Sequence, residues 1–449
     1  MKVFGSSGVR GVANDDLLPR FVMQVTQAAG AELGVGRVAL ARDTRLTGPM
    51  FADAAASGLE SVGCTVDRLG IAPTPALQAY CERESVPGVM ITASHNPPEY
   101  NGIKLVGESG VELTQDRLER VEDRLDAGPE LADWSEVGDS RSVETARETY
   151  REQLLAAVPR QRIADAELTV AIDPGHGAGA LTSPDFFREL GCRVVTVNAQ
   201  PDGRFPGRKP EPIADHLADL ARLTRTSDAD LGIAHDGDAD RAIFIDETGT
   251  FIEGDAALAA LAAAELGDDD VAVSAVNASQ RLVDVVEDAG ADLRLTPIGS
   301  TYLITAIREL QERGRRVPIA GEGNGGIIFP GYRIARDGAY TAARFCALVA
   351  DRPASDIAAD YDDYYNVRHD ISYEGKEQRD AMLDAIEETA EESTADLDTT
   401  DGYRLDYGDA WVLARPSGTE PLVRVYAEAR AESRARELAD EMAAAIEDA

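Results

Sequence analysis

Three times along the chain an apolar, β-rich run is followed by a turn, a helical segment and a second strand-like run. That alternation constrains the fold more than any other feature, because it calls for helices layered on a largely parallel sheet. RVALARDT (37–44) leads into the helical PMFADAAASGLESVG and then TVDRLG, after which VPGVMITAS runs into the stretch Thr92–Leu105. LTVAIDPGHGAG, SPDFFRELG and CRVVTVNA repeat the layout over 168–199, and DVAVSAVNAS (270–279) with ADLRLTPIG repeats it again. After about residue 365 the pattern changes to a long acidic helix (376–391), the strand-like YRLDYGDAWVLARP and LVRVYAEA, and a terminal helix, ESRARELADEMAAAIED. That part predicts a small α+β domain, with YDDYYNVRHD (361–370) as the link into it and a hinge for the fourth domain near residue 365. The expected domains are 1–150, 151–252, 253–365 and 366–449.

Charge narrows the range of partners. The chain carries 81 acidic and 44 Lys or Arg residues, a formal net charge of −37 spread along its length, which excludes nucleic acid as the expected partner. Lys2, Lys104, Lys209 and Lys376 are its only lysines. Abundant Asp and Glu with few lysines suit a surface hydrated in concentrated salt, where screening relieves repulsion, so a halophile's cytosol is expected. A lysine kept at position 104 amid such depletion points to a task that needs a compact point charge and not a fork. No apolar run approaches the roughly 18 residues of a membrane span, and MKVFGSSGVRG lacks a signal peptide's layout, so the expected location is cytoplasmic. Cys64, Cys81, Cys192 and Cys346 lack CxxC spacing and read as reduced core residues.

Four stretches carry chemistry. In FGSSGVRG (4–11), glycines permit close backbone approach and Arg10 offers a bidentate anion fork. In TASHNPPEYNGIKL (92–105), Val89–Ala93 reads as a buried strand with Ser94, His95 and Asn96 at its C-terminal end, where ligands of α/β sheets collect. Neighbouring side chains on an extended strand point to opposite faces, so His95 is poorly placed as a base for Ser94, and a serine that carries a phosphoryl group fits better. In HDGDADRAIFIDETG (235–249), Asp236, Asp238 and Asp240 give three hard oxygen donors within five residues, enough to wrap one divalent cation. An EF-hand loop is the competing reading, since Glu247 falls at its twelfth position; Arg241 where a glycine is needed, and strand-like flanks, oppose it. Finally, GEGNGGIIFP (321–330) presents Glu322 and Asn324 to hydroxyl groups. RPSGTEP (415–421) gathers Ser417, Gly418 and Thr419 between Arg415 and Arg424 as an anion nest.

In this order SSGVRG, TASHNPPEYNGIK, DGDADR, GEGNGG and RPSGTEP resemble the α-D-phosphohexomutase superfamily, from residue 4 to about 428. The resemblance implies four domains around a central cleft, three of them similar α/β mixed-sheet domains and the last a smaller C-terminal α+β domain. The first carries the phosphoserine loop, the second the metal loop, the third the sugar loop and the fourth a phosphate site. It further implies that Ser94 is the phosphoserine, that Mg²⁺ is held by Asp236, Asp238 and Asp240 with the Ser94 phosphate, and that Arg10, Lys104 and His95 sit at the reacting centre beside Arg241. Glu322 and Asn324 would contact sugar hydroxyls, and Arg415, Ser417, Gly418, Thr419 and Arg424 would grip the phosphate not in transfer. The reaction would move phosphate between O1 and O6 of a hexose through a hexose 1,6-bisphosphate, which also serves as activator. Many bacterial relatives have a histidine in the sugar loop where this chain has Gly326, which leaves Lys104 as the candidate base. His176, in DPGHGAG, reads as a turn residue. A glucosamine, mannose or glucose phosphate all remain open, as do monomer and dimer. The rival classes are a non-catalytic calcium-binding acidic protein and a metal-dependent sugar phosphatase.

Overall fold

The computed structural model describes residues 3–5, 8–34, 36–417 and 421–447, which divide into two compact units, Met1–Ala257 with Asn324–Ala358 and Leu258–Gly323 with Ala359–Ala449. Three similar α/β domains with mixed sheets and a smaller C-terminal domain with an antiparallel sheet make up the chain.

In the first unit, a six-stranded sheet runs in the spatial order Val9–Val12, Tyr100–Val106, Gly88–Ile91, Arg37–Arg42, Thr65–Ile71, Ser140–Ser142. The last four strands are parallel, and the first two join antiparallel, so the sheet is mixed where the alternation alone predicts a parallel one. Gly88–Ile91 is buried along its whole length, as a strand covered on both faces must be. A layer of Val22, Val25, Phe51, Ala55 and Leu59 from the helices Pro19–Leu33 and Gly48–Ser61 packs on Val38, Leu40, Val89 and Ile91. The second sheet repeats the plan: Thr169–Asp173 lies parallel between Arg193–Thr196 and Leu231–Ala234, and Ile243–Asp246 returns antiparallel. Phe251–Ile252 pairs antiparallel with Ile243–Asp246, and this unit also holds the hairpin Gly326–Phe329/Arg333–Arg336.

In the second unit, Val271–Ala275 pairs in parallel with Asp292–Thr296 and Ala320–Glu322. The C-terminal sheet is antiparallel throughout, and the helices Lys376–Glu392 and Glu432–Glu447 cover it through Met382, Ile386, Leu438 and Met442. The segment read as a linker is instead largely strand: Tyr365–Ser372 pairs along its whole length with Leu422–Ala429, its period-2 exposure marking it as a sheet edge. Nor does residue 365 sit at a loose joint. Glu428 Oε1 accepts the Gln280 N–H at 2.5 Å, and Arg404 Nη1 donates to Val276 O at 2.6 Å while its guanidinium lies 4.3 Å from the Trp411 ring centroid. Trp411 and Leu413 pack on Val276. A hinge there would break this buried polar seam between the third and fourth domains.

The four cysteines are buried and none is in a disulfide. Among the described residues no helix is long and apolar enough to cross a membrane.

Candidate active site

The strand Gly88–Ile91 ends three residues before Ser94, which is fully buried and takes the left-handed conformation, φ 52°. A non-glycine residue held there costs on the order of 1 kcal/mol and persists only where the surroundings enforce it. The alternation argument against a Ser94–His95 pair therefore does not apply: the backbone has left the strand, and Ser94 Oγ stands 3.5 Å from His95 Nδ1. Ser94 Oγ donates to Asp236 Oδ2 at 2.6 Å.

Asp236 follows the buried strand Leu231–Ala234, and the loop that carries Asp238 and Asp240 returns as Ile243–Asp246. Strands on both sides exclude the helix–loop–helix of an EF-hand, and Glu247 turns away to accept from Ser355 N and Oγ. All three aspartates are buried, with ligand atoms within 4.8 Å of one another. Lys104, on the strand Tyr100–Val106, donates to Asp238 Oδ2 at 2.8 Å and Asp240 Oδ2 at 3.1 Å; Thr74 Oγ1 donates to Asp238 Oδ2 at 2.5 Å and Arg336 Nη2 to Asp240 Oδ2 at 2.9 Å. Oδ1 of Asp238 and Oδ1 of Asp240 accept no hydrogen bond, and the latter stands 4.0 Å from Arg241 Nε. Two buried carboxylate oxygens without a hydrogen bond, beside a third carboxylate, are the donor set of a hard divalent cation, and the residues fit one.

Electrostatics follow from burial and neighbours. Burial, with Asp238 and Asp240 beside it, pushes the Asp236 carboxyl up. Burial acts the same way on Asp238, but the Lys104 ammonium outweighs it and holds that carboxyl well below the usual range. Lys104 answers in kind: burial works to lower its pKa, and Asp238 and Asp240 carry it up instead. As found, Lys104 is a cation, and a base role would require its proton to leave against two carboxylates. Burial first, then Arg241 and Arg10, keep the His95 imidazole neutral. Arg10 lies on Val9–Val12, donates to Asn96 Oδ1 at 2.8 Å, and is pulled down by burial to about 10. Its Nε makes no hydrogen bond, and neither does that of Arg241, which stands 4.0 Å from Asp240 Oδ1. These two guanidiniums present anion-ready donors beside the aspartates.

The structure thus gathers Ser94, His95, Arg10, Lys104, Asp236, Asp238, Asp240 and Arg241 in the first unit, where Asn324 Oδ1 also accepts the Gly326 N–H at 3.0 Å. In the second unit Glu322 ends the strand Ala320–Glu322, buried. Arg415 and Arg424 stand opposite each other on adjacent antiparallel strands, with Arg415 Nη2 3.0 Å from Asp401 and Arg424 Nε 3.8 Å from Asp370; Ser417 N donates to Leu422 O at 2.8 Å. Gly418 and Thr419 lie outside the described residues. His176 takes φ 59° and bonds Gln200 O through Nδ1, the turn role expected of it. Sequence reasoning missed Thr74 and Arg336, and also Asp43, Arg45 and Thr92 beneath the serine loop. A signal for Asp43 and Arg45 exists: polar ARDTR at the end of an apolar strand.

The chain matches the models of the phosphoglucomutase/phosphomannomutase α/β/α domains I, II and III over residues 1–132, 148–249 and 253–364, and of the C-terminal domain over 373–445. A phosphoglucomutase/phosphomannomutase of Thermococcus kodakarensis is 41% identical over 447 residues, with 97% of this chain and 96% of that one covered. A protein of Methanopyrus kandleri named "Probable phosphoglucosamine mutase" is 40% identical over 446 residues, covering 98% and 96%. Among solved structures, a phosphoglucomutase/phosphomannomutase family protein of Burkholderia thailandensis superposes with a TM-score of 0.85 at 26% identity, covering 99% and 97% of the two chains.

Proposed function

The chain belongs to the phosphoglucomutase/phosphomannomutase family and is a phosphohexomutase, an enzyme of intramolecular phosphoryl transfer, and from that membership we propose that Ser94 carries the phosphoryl group in transit. The observation that carries this reading is the 2.6 Å contact from Ser94 Oγ to Asp236, the first of three buried aspartates. Phosphoserine gives its phosphoryl group to the free hydroxyl of a hexose phosphate: the Oγ–P bond breaks, a sugar O–P bond forms, and the hydroxyl proton ends on Ser94 Oγ, which becomes a free hydroxyl. The bisphosphate then presents its other end: that sugar O–P bond breaks, the Oγ–P bond forms again, and the serine proton passes to the freed sugar oxygen.

Mg²⁺ held by Asp236, Asp238 and Asp240 would neutralise charge on the phosphoryl oxygens. Arg10 and Arg241 supply the remaining positive charge from the protein, with Nε of each available to an anion. Lys104 holds the Oδ2 atoms of Asp238 and Asp240 and so orients the two carboxylates that, with Asp236, would hold the cation. His95, neutral beside Ser94 Oγ, supports the serine loop and can donate to or accept from a phosphate oxygen. Arg415, Ser417 and Arg424, with Gly418 and Thr419, would hold the phosphate not in transfer, and Glu322 and Asn324 would meet sugar hydroxyls.

The relatives named for glucose, mannose and glucosamine phosphates are almost equally similar, so the sugar is for experiment to assign. Acidity spread over the surface supports a cytosolic protein adapted to concentrated salt. A ³¹P NMR time course in molar KCl with Mg²⁺ and catalytic bisphosphate, offering each hexose 1-phosphate separately, tests the reading. Conversion to 6-phosphates by wild type and none by S94A is the expected result. Release of inorganic phosphate alone would establish a phosphatase, and no turnover by folded protein would overturn the assignment.

A further inference from the structure

Beneath the Ser94 loop lies a cluster that the reaction scheme above does not use. Asp43, at the end of the strand Arg37–Arg42, is fully buried, and so is Arg45. Arg45 donates through Nε to Asp43 Oδ2 at 3.0 Å. Its Nη1 donates to Pro97 O at 2.6 Å and Tyr100 O at 2.9 Å, and its Nη2 to Ser94 O at 2.8 Å and Asn96 O at 2.7 Å. A guanidinium has five N–H donors, and here each has an acceptor. Four of those acceptors are main-chain carbonyls of a single loop, the one that carries the nucleophile.

The same aspartate reaches Ser94 by a second route. Thr92 Oγ1 donates to Asp43 Oδ2 at 2.7 Å and accepts the Ser94 N–H at 2.8 Å. Asp43 therefore governs both main-chain groups of Ser94, its N–H through Thr92 and its C=O through Arg45. Fixing both sides of one Cα is what a left-handed serine requires, and it sets where Oγ points. The second domain uses a like device. Arg208 donates through Nε to Asp173 Oδ2 at 3.0 Å and through Nη2 to His235 O at 2.6 Å, the carbonyl just before Asp236. Asp43 and Asp173 both sit at the C-terminal end of the strand that lies parallel beside the one leading to the reacting loop.

We propose that Arg45 is a positioning residue for phosphoryl transfer: with Asp43 and Thr92 it clamps the Ser94 main chain so that Oγ is aimed at the aspartate cluster. The inference rests on the reading of Ser94 as the phosphoryl carrier. It makes a demand that a purely structural arginine would not. Loosening the clamp must slow transfer in molecules that remain folded and still bind substrate and metal, because misplacing a reacting atom by about 1 Å costs roughly 100-fold in rate.

The test uses the full-length wild type, R45K and T92V. Lysine keeps the charge but cannot reach four carbonyls; valine keeps the volume of Thr92 but drops the link to the Ser94 N–H. Each protein is charged with bisphosphate, its Ser94 phosphorylation is read by intact mass and peptide mapping, and the rate of single-turnover transfer to a hexose phosphate is followed. KM, the Mg²⁺ affinity of the unphosphorylated protein by calorimetry, and thermal melting are measured alongside. Expected are a fall in transfer rate of about 100-fold for R45K and about tenfold for T92V, with KM and Mg²⁺ affinity within about threefold of wild type. Wild-type transfer per folded molecule in both variants overturns the clamp, as does a parallel loss of Mg²⁺ affinity, which would mean general collapse of the site. Should R45K fail to fold, T92V decides alone. A wild type that takes up no phosphoryl group on Ser94 overturns the carrier reading, and the clamp with it; phosphorylated wild type with unaffected variants overturns only the clamp.

Discussion

Lys104 Nζ holds Asp238 by one carboxylate oxygen, Oδ2 at 2.8 Å, and leaves the other, Oδ1, without a partner. The pair is buried, so removing one member strands the other's charge at a cost of about 3 kcal/mol or more. K104M keeps the length of the side chain and discards its charge. The variant should melt lower than wild type in EDTA, and added Mg²⁺ should raise its melting temperature by more than it raises that of wild type, because the cation then replaces the charge that Lys104 had brought to Asp238. Equal Mg²⁺-induced shifts in the two proteins would show that lysine and metal do not share these carboxylates.

Much of this was legible in the chain. DGDADR marked the cluster of three buried carboxylates because acids two residues apart on one loop converge, and TASHNP placed Ser94 because an apolar run ends there. What could not be read was the backbone conformation at Ser94. An extended-strand rule put His95 on the far face, whereas φ 52° brings its Nδ1 within 3.5 Å of the hydroxyl. Thr74 and Arg336 were hidden for another reason: they come to Asp238 and Asp240 from positions 164 and 96 residues away, and nothing local announces such contacts. Tyr365–Ser372 escaped because an edge strand carrying Arg, His and Asp reads as a polar linker.

Gly237 fills the gap between the two reacting loops. A Cβ added there would lie 2.6 Å from Ser94 O, the carbonyl that Arg45 also holds, so neither partner is a flexible side chain that could swing aside. G237A should push the aspartate loop from the serine and lower kcat by about tenfold or more, with a modest change in melting temperature. Steady-state kinetics beside a thermal melt separates the effects; wild-type kcat would mean that the loops part without consequence.

Arg415 and Arg424 are direct cross-strand partners, an arrangement of like charges that is unfavourable unless anions lie between or beside them. Asp401 and Asp370 provide part of that neutralisation. A dianionic phosphate would provide more, which is why these residues suit the non-transferring end of the sugar. R424A should raise KM by roughly thirtyfold, the equivalent of about 2 kcal/mol for a hydrogen bond to a charged group, while uptake of phosphate by Ser94 per binding event changes little. An unchanged KM with reduced kcat would place Arg424 at the chemistry instead.

Acidity has its own structural consequence, most clearly in the helix Lys376–Glu392. Asp380, Asp384, Glu388 and Glu392 follow one another at i, i+4 spacing, and all four are exposed. Like charges at that spacing each cost a few tenths of a kcal/mol in dilute buffer. The face carrying Met382, Ile386 and Ala390 packs the helix on its sheet. Screening shortens from about 10 Å at 0.1 M salt to about 3 Å at 1 M, so most of the repulsion should vanish over that range. Hydrogen exchange at the helix amides should therefore slow as KCl rises from 0.1 to about 1 M, and the melting temperature should climb with it. Amides of the strand Gly88–Ile91, with no charge to screen, should change only as far as global stability does. A helix equally protected at both salt concentrations would show that the acid ladder is tolerated without salt, and would remove the case for adaptation to concentrated salt.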